Sequence, residues 1–276
     1  MNGERTIADS ELILTKDGRI YHLGIPPGFL SDKIITVGDP SRAEWVASYF
    51  DKIEARQQNR EFVCITGVFE GSRLSIVSTG IGTDNIDIVF NEVDALFNFD
   101  FSNRSLKRSL HQLQFFRLGT SGAVSSNAGI GDIVISEEAI GFDALSHFYG
   151  LKDEFRSEFS TVPYYKITAD EDLLDSFEFF PRVRTVTMPG FYGPQNRFLR
   201  LQNNLKFDFW EMVESLAVDN LEMESSGIYL LSHLMGHKAI SINALLAHRK
   251  HGTFHPNPKE VVQEMIEKSL PVIAAI

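Results

Sequence analysis

Cysteine occurs once in this chain, at Cys64. An intrachain disulfide is therefore impossible. The thiol lies in the apolar run Phe62-Val63-Cys64-Ile65 and is expected to be buried and inert, in keeping with a reducing, cytoplasmic setting. No uninterrupted apolar run is long enough to span a bilayer, and Met1-Asn2-Gly3-Glu4-Arg5 lacks the apolar core of a signal peptide, so no membrane is expected as a partner. Basic residues are in short supply: 26 Lys and Arg stand against 37 Asp and Glu, a net charge of −11. That balance argues against a nucleic-acid or anionic-membrane surface, and it leaves any anion to be held by local arginines rather than by the overall field. Low-complexity linkers and internal repeats are missing, and so is the GxxxxGK[ST] loop of P-loop nucleotide triphosphatases.

What is present reads as one α/β domain over residues 1–276, with 43% hydrophobic residues. Ile34–Val37 reads as a strand, and Asp39 then caps a helix with Pro40 at its first position, where a missing N–H costs nothing. Trp45, Val46, Tyr49 and Phe50 mark an apolar face on that helix. Phe62–Phe69 and Leu74–Ser78 flank Glu70-Gly71-Ser72-Arg73 as a hairpin. Asp84 opens a helix with apolar positions Ile86, Val89, Phe90, Val93, Leu96 and Phe97, and Asn98–Arg108 reads as a polar surface connection. Further strands are expected at Asp132–Ser136, Arg184–Met188 and Ala239–Ala247, and helices at Met223–His233 and from Glu260 to the C-terminus. This alternation predicts a helix-flanked, parallel or mixed sheet, with ligands bound outside the carboxyl ends of its strands.

Two segments fall at such ends. Arg117-Leu118-Gly119-Thr120-Ser121-Gly122-Ala123 follows the apolar run Leu113–Phe116, and Val37-Gly38-Asp39-Pro40-Ser41-Arg42 follows Ile34-Ile35-Thr36. Glycine lets a backbone approach an anion, and arginine supplies a planar fork for phosphate oxygens, so a phosphate between the two loops is predicted. Gly80-Ile81-Gly82 lacks the third glycine of a dinucleotide fingerprint and reads as a tight strand-to-helix turn. In Glu222-Met223-Glu224-Ser225-Ser226 the two carboxylates cannot share a helix face. At a strand end entering a helix, one would point into a cleft and the other into the structure. A carboxylate beside a thioether suits a sugar, while an acidic first helical turn is the simpler alternative.

Taken together and in this order, Gly38-Asp39-Pro40-Ser41-Arg42, Arg117-Leu118-Gly119-Thr120-Ser121-Gly122 and Glu222-Met223-Glu224-Ser225 resemble the nucleoside phosphorylase family, over most of the chain from about Tyr21-His22-Leu23-Gly24 onward. The resemblance implies a single-domain, three-layer α/β fold whose mixed central sheet partly closes into a distorted barrel. It also implies a homo-oligomer, a dimer or a hexamer built of dimers, with sites completed across an interface. It assigns phosphate binding to Gly38, Arg42, Arg117, Thr120 and, from a neighbouring subunit, Arg60. Ribose falls to Thr120, Met223, Glu224 and the neighbour's His22.

Pro189-Gly190-Phe191-Tyr192-Gly193-Pro194-Gln195-Asn196-Arg197 resembles the base-binding loop of the uridine-cleaving members. Gln195 offers a donor and an acceptor to the imide edge of uracil, Arg197 a fork to a carbonyl that gains charge as the base leaves, and Phe191 a stacking face. Purine-cleaving relatives place an aspartate after the strand that here ends at Ala247; this chain has His248-Arg249-Lys250, and Arg249 matches the arginine of the uridine-cleaving members. Arg117, Arg197, Arg249 and Glu224 are thus the expected catalytic set. The expected reaction is phosphorolysis of uridine, with inorganic phosphate as co-substrate and no cofactor. His248, His251 and His255 do not follow a metal-binding spacing, and no metal is expected.

Overall fold

The computed structural model describes residues 6–151, 154–157, 160–201 and 208–276. In chain order its elements are β1 (Lys33–Val37), α1 (Pro40–Ala47), β2 (Lys52–Asn59), β3 (Phe62–Phe69), β4 (Ser72–Ser78), α2 (Thr83–Asn98), β5 (Phe99–Asp100), β6 (Ser105–Leu106), β7 (Gln114–Ala123), β8 (Ile133–Gly141), α3 (Leu145–Tyr149), β9 (Glu154–Ser157), β10 (Ser160–Thr168), α4 (Glu171–Ser176), β11 (Arg182–Thr187), α5 (Phe209–Ser215), β12 (Asn220–Glu222), α6 (Ser225–Met235), β13 (Lys238–His248), β14 (Thr253–Phe254) and α7 (Pro258–Ala275).

Several of these form for the local reasons anticipated. The Asp39 side chain accepts from the Ser41 N–H and caps α1 at Pro40, although α1 ends at Ala47, before Tyr49 and Phe50. Ile86, Val89, Phe90, Val93 and Leu96 form the buried face of α2. Glu70 and Gly71, both at positive φ, turn β3 antiparallel into β4. The Asn98–Arg108 stretch contains the small β5–β6 hairpin instead of a plain connection. Cys64 is buried in β3, and burial pushes its thiol up to about 12.

Two long strands, β7 and β13, pair in parallel along their whole length. From β7 the pairing runs through β12, β11 and β8 and returns to β13, so five strands close into a barrel of mixed direction. A bulge between Leu245 and Ala247 in β13 and another at Glu137 in β8, opposite Val183 and Arg184 of β11, supply the bend that closure requires. The other side of β7 carries β1, β4, β3 and β2 as an open extension, so the partly closed mixed sheet expected from the sequence is the one observed. Helix α6 packs on β8, β11 and β13, α7 on β4, β7 and β13, and α1 on β1, β3 and β4. No helix among the described residues is long and apolar enough to cross a membrane.

One expectation needs correction. The Arg117–Ala123 segment is not a turn after a strand; it is the second half of β7. Its backbone is paired with β13 from Arg117 to Ala123, so it is a ladder strand and not the glycine-rich turn expected. The apolar run stops at Phe116, but the ladder continues because the partner strand comes from 124 residues further along the chain, as the Gln114–Lys238 register shows.

Tyr229 of α6 ties the barrel to its helix. Its fully buried hydroxyl donates to the Ser136 carbonyl at 2.6 Å and accepts from the Ser241 N–H at 2.8 Å. Tyr229→Phe orphans both backbone groups and is expected to lower unfolding free energy by about 1–3 kcal/mol, read from the urea midpoint at unchanged m-value.

Candidate active site

The cavity lies where β7 changes neighbours. On one edge β7 pairs with β1 as far as Thr36–Arg117 and with β12 from Leu221–Gly122, and residues 118–121 between them have no partner strand on that side among the described residues. A cavity of about 300 Å³ opens at this break. Gly38, Arg42, Arg117, Thr120, Phe191, Gln195, Arg197, Met223 and Glu224 all line it. Segments far apart in sequence thus meet at one switch point of a mixed sheet, the place where α/β proteins bind ligands.

Arg117 is the centre of the site and is almost completely buried. Its Nη1 donates to Asn243 Oδ1 at 2.5 Å and to Ser241 Oγ at 3.3 Å. Its Nη2 meets Glu224 Oε2 at 2.6 Å and Glu222 Oε2 at 3.1 Å. Burial pulls the guanidinium pKa down, but the charges of Glu222 and Glu224 outweigh it and hold the group above its ordinary value. Gly119 makes the arrangement possible, since a Cβ there would lie 1.8 Å from Arg117 Nη1. Arg117 is therefore largely committed within the protein; it is not a free fork waiting for an anion.

The two carboxylates divide as the sequence suggested. Glu222 ends β12 and turns inward, accepting from the Thr187 hydroxyl at 2.6 Å and from the Glu224 and Ser225 N–H groups at the start of α6. Glu224 stands at the helix entry without capping it; its Oε1 accepts from the Gly82 N–H at 2.8 Å. Burial raises the Glu224 pKa, with Arg117 acting against the rise and Glu222 adding to it. Gly80-Ile81-Gly82 is the strand-to-helix turn anticipated, and Gly82 sits at φ 96°, where a Cβ would meet Asp84 Oδ1 at 2.7 Å. Met223 is partly exposed beside Glu224 on the cavity wall.

At one end of the cavity Gly38 lies close to the Gly80 carbonyl, 3.3 Å from where a Cβ would stand. Arg42 donates to the Leu118 carbonyl at 3.3 Å. Burial and the nearby Arg117 charge lower its pKa, and no carboxylate pairs with it among the described residues. At the opposite end the loop after β11 folds on itself through Arg197 N–H to Tyr192 O at 2.8 Å. The Arg197 guanidinium rests 3.8 Å from the Phe191 ring centre, and Gln195 is 1% exposed. Arg197 is pushed down to about 10 by burial and then by the charge of Arg249. Arg249 stands behind the wall, packed over Gly122 and donating to the Gln195 carbonyl at 3.0 Å. Arg197 Nε and Arg249 Nη1 are buried without hydrogen-bond partners.

His22 and Arg60 lie outside this cavity. His22 Nδ1 is 2.6 Å from Glu92 Oε1, and Arg60, exposed and at φ 54°, stacks over Tyr21 at 5.4 Å. They share a surface patch, since Asn59 donates to the His22 carbonyl at 2.9 Å. The His248 and His251 rings lie 4.0 Å apart, tilted by 38°, while His255 accepts from the Asn257 N–H, and no group of three or more His, Cys, Asp or Glu among the described residues is arranged for a metal. Sequence reasoning missed the structural partners: Glu222 as clamp of Arg117, Gly82 as donor to Glu224, and Ser241 and Asn243 behind them. The only signal was an acid at a strand end directly before a helix.

Several known proteins are similar to this chain in sequence and fold. The chain is 28% identical over 246 residues to a uridine phosphorylase of Thermococcus kodakarensis, covering 85% of this chain and 79% of that one. Identity to a uridine phosphorylase of Haemophilus influenzae is 25% over 263 residues, with 92% and 95% covered. A DeoD-type purine nucleoside phosphorylase of Lactococcus lactis is 29% identical over 213 residues, with 76% and 78% covered. The structure of a Trypanosoma brucei nucleoside phosphorylase that shows uridine phosphorylase activity superposes with a TM-score of 0.84 at 26% identity, over 96% of this chain and 99% of that one. A family model described as the phosphorylase superfamily matches residues 32–276. That match runs from the strand that opens the sheet to the last helix, and the chain belongs to the phosphorylase superfamily.

Proposed function

We propose that this protein is a uridine phosphorylase, converting uridine and inorganic phosphate reversibly to uracil and ribose 1-phosphate. The observation that carries the reading is the charge asymmetry of the cavity. Arg117 in the middle is matched by Glu222 and Glu224, whereas Arg197 and Arg249 at the loop end have no carboxylate partner among the described residues and keep unbonded buried donors. Two uncompensated guanidinium groups beside Gln195 suit a base that becomes negative as its glycosidic bond breaks. The curated uridine phosphorylase relatives and the Trypanosoma brucei enzyme support the same substrate.

In the mechanism, Arg42 and the Gly38 backbone hold phosphate at one end, with Thr120 and the Arg117 cluster as the adjoining wall. Glu224, fixed by Gly82 and Arg117, accepts hydrogen bonds from the ribose hydroxyls while Met223 packs on the sugar. The C1′–N1 bond lengthens, its electron pair moves to the uracil ring, and a phosphate oxygen bonds to C1′. Gln195 and Arg197 receive the developing charge, with Arg249 holding the Gln195 backbone and adding positive potential. The uracil anion then takes a proton from solvent. Positioning and electrostatics carry the rate, with no covalent enzyme intermediate.

The protein acts as a homo-oligomer, a dimer or a hexamer built of dimers, in which His22 and Arg60 enter the partner's cavity. Their joint placement on a patch outside their own cavity supports this. The single buried thiol fits the proposed cytoplasmic setting.

A spectroscopic assay is expected to give uridine cleavage that depends strictly on phosphate. Cleavage without phosphate would mean hydrolysis, and faster cleavage of inosine would move the protein to the purine-cleaving branch. Arg197→Ala is expected to lower kcat on the order of a hundredfold, and a near-normal rate would remove it from the mechanism. Arg60→Ala and Arg197→Ala homomers are both expected to be impaired. Co-refolding the two variants restores activity if the sites are shared between subunits, and gives only the sum of the two residual activities if they are not.

A further inference from the structure

The interior of the barrel holds a directed chain of hydrogen bonds that begins at Arg117 and ends at Ser121. Its six members come from the five barrel strands, with β7 supplying both ends. Arg117 Nη1 donates to Asn243 Oδ1 at 2.5 Å, and Asn243 Nδ2 donates to Ser136 Oγ at 3.0 Å. Ser136 Oγ lies 2.5 Å from Thr185 Oγ1, Thr185 donates to Asn220 Oδ1 at 2.6 Å, and Asn220 Nδ2 donates to Ser121 Oγ at 2.8 Å. Ser136, Thr185, Asn220 and Asn243 are all 0% exposed, so no solvent relieves an unmet bond.

The direction of the chain is set by Arg117 at one end and by the orientation of the Asn220 amide near the other. Guanidinium nitrogen cannot accept, so Asn243 must present its oxygen to Arg117 and its amide hydrogens onward. With the Asn220 amide set Oδ1 toward Thr185 and Nδ2 toward Ser121, the single Thr185 hydrogen goes to Asn220, and Ser136, which accepts from Asn243, gives its hydrogen to Thr185. Asn220 then donates to Ser121. Ser121 is the one member besides Arg117 that lines the cavity. Its oxygen accepts from Asn220, and its hydrogen is left for whatever occupies the cavity. Each bond points away from a buried positive charge, so each polarises the next.

Position along β7 identifies the recipient. Leu118 meets Arg42 at the phosphate end, whereas Gly122 is covered by Arg249, which holds Gln195 at the base end. Ser121 stands next to Gly122. We infer that Ser121 is an obligate hydrogen-bond donor to a carbonyl oxygen of the leaving base, fixed in that role by the relay through Asn243, Ser136, Thr185 and Asn220. Ser121 is then a catalytic residue, and Thr185, which does not line the cavity, is a positioning residue. The recipient rests on the uridine reading; the direction of the relay does not.

Two measurements separate these. Neutron diffraction from the ligand-free wild-type protein reads the relay directly: the Thr185 hydrogen is expected on the Asn220 side and the Ser121 hydrogen directed into the cavity. A Thr185 hydrogen directed at Ser136 overturns the relay. Wild-type turnover of uridine with phosphate tests the functional reading, and its absence overturns the assignment of the recipient while the neutron result stands. With turnover in hand, Ser121→Ala is expected to lower kcat on the order of a hundredfold at unchanged KM for phosphate. Thr185→Val is expected to lower it about tenfold, and Thr185→Ser, which keeps the hydroxyl, to retain the wild-type rate. The double variant S121A/T185V should be no slower than S121A alone, since Thr185 acts only through Ser121. A folded T185V with wild-type kcat, or losses that multiply in the double variant, overturn the proposal. Should T185V fail to fold, the neutron result and the contrast of S121A with Ser121→Thr decide it.

Discussion

The site depends on one buried cation shared by two buried carboxylates. Arg117 reaches Glu222 and Glu224 from the middle of a barrel strand, where an unpaired guanidinium would be intolerable. Each member of the trio fixes a different part of the fold. Glu222 binds the first turn of α6, Glu224 binds the Gly82 turn before α2, and Arg117 binds Asn243 of β13. Moving any one of them would move a helix entry, a turn or a barrel strand. Glu224 is thus held by the framework itself, which is how the proposed site would position a sugar closely.

Against this rigid, charge-matched centre, the two ends of the cavity are deliberately incomplete in charge. Arg42 at one end and Arg197 with Arg249 at the other are each partly withdrawn from water, with no ion-paired carboxylate among the described residues. Burial lowers the pKa of all three, the mark of cations kept in surroundings that favour an incoming anion. An anion entering at the first end and an anion forming at the second would each supply the missing charge. That division of labour, matched in the middle and unmatched at the ends, is the physical basis of phosphorolysis in this reading.

Much of this was legible where the signals were local. Asp39 and Pro40 announce α1, the glycine turn announces the β3–β4 hairpin, and the apolar spacing from Ile86 to Leu96 announces α2. The polar strand β2, with no buried residue in Lys52–Asn59, offers no alternation to read. β12 spans only Asn220–Glu222, too short for any period. The extent of β7 was misjudged because its second half owes its conformation to β13, and nothing in Gly119-Thr120-Ser121-Gly122 announces a ladder. The candidate site residues could be named from motif resemblance, but not their partners. Asn243, Ser241 and Gly82 become meaningful only when the barrel closes around Arg117.

The pairing of β7 with β13 also sets the order in which the molecule can be made. Gln114–Arg117 meet Lys238–Ser241, and the five barrel strands span residues 114 to 248. During synthesis β1, β3 and β4 can assemble early from neighbouring segments, but the barrel cannot close until β13, ending at His248, has left the ribosome. Closure of so long a loop is entropically slow, and topologies dominated by such contacts fold late. Until that moment Arg117 has none of its partners from β12, α6 or β13, and a nascent chain carries no partial version of the site.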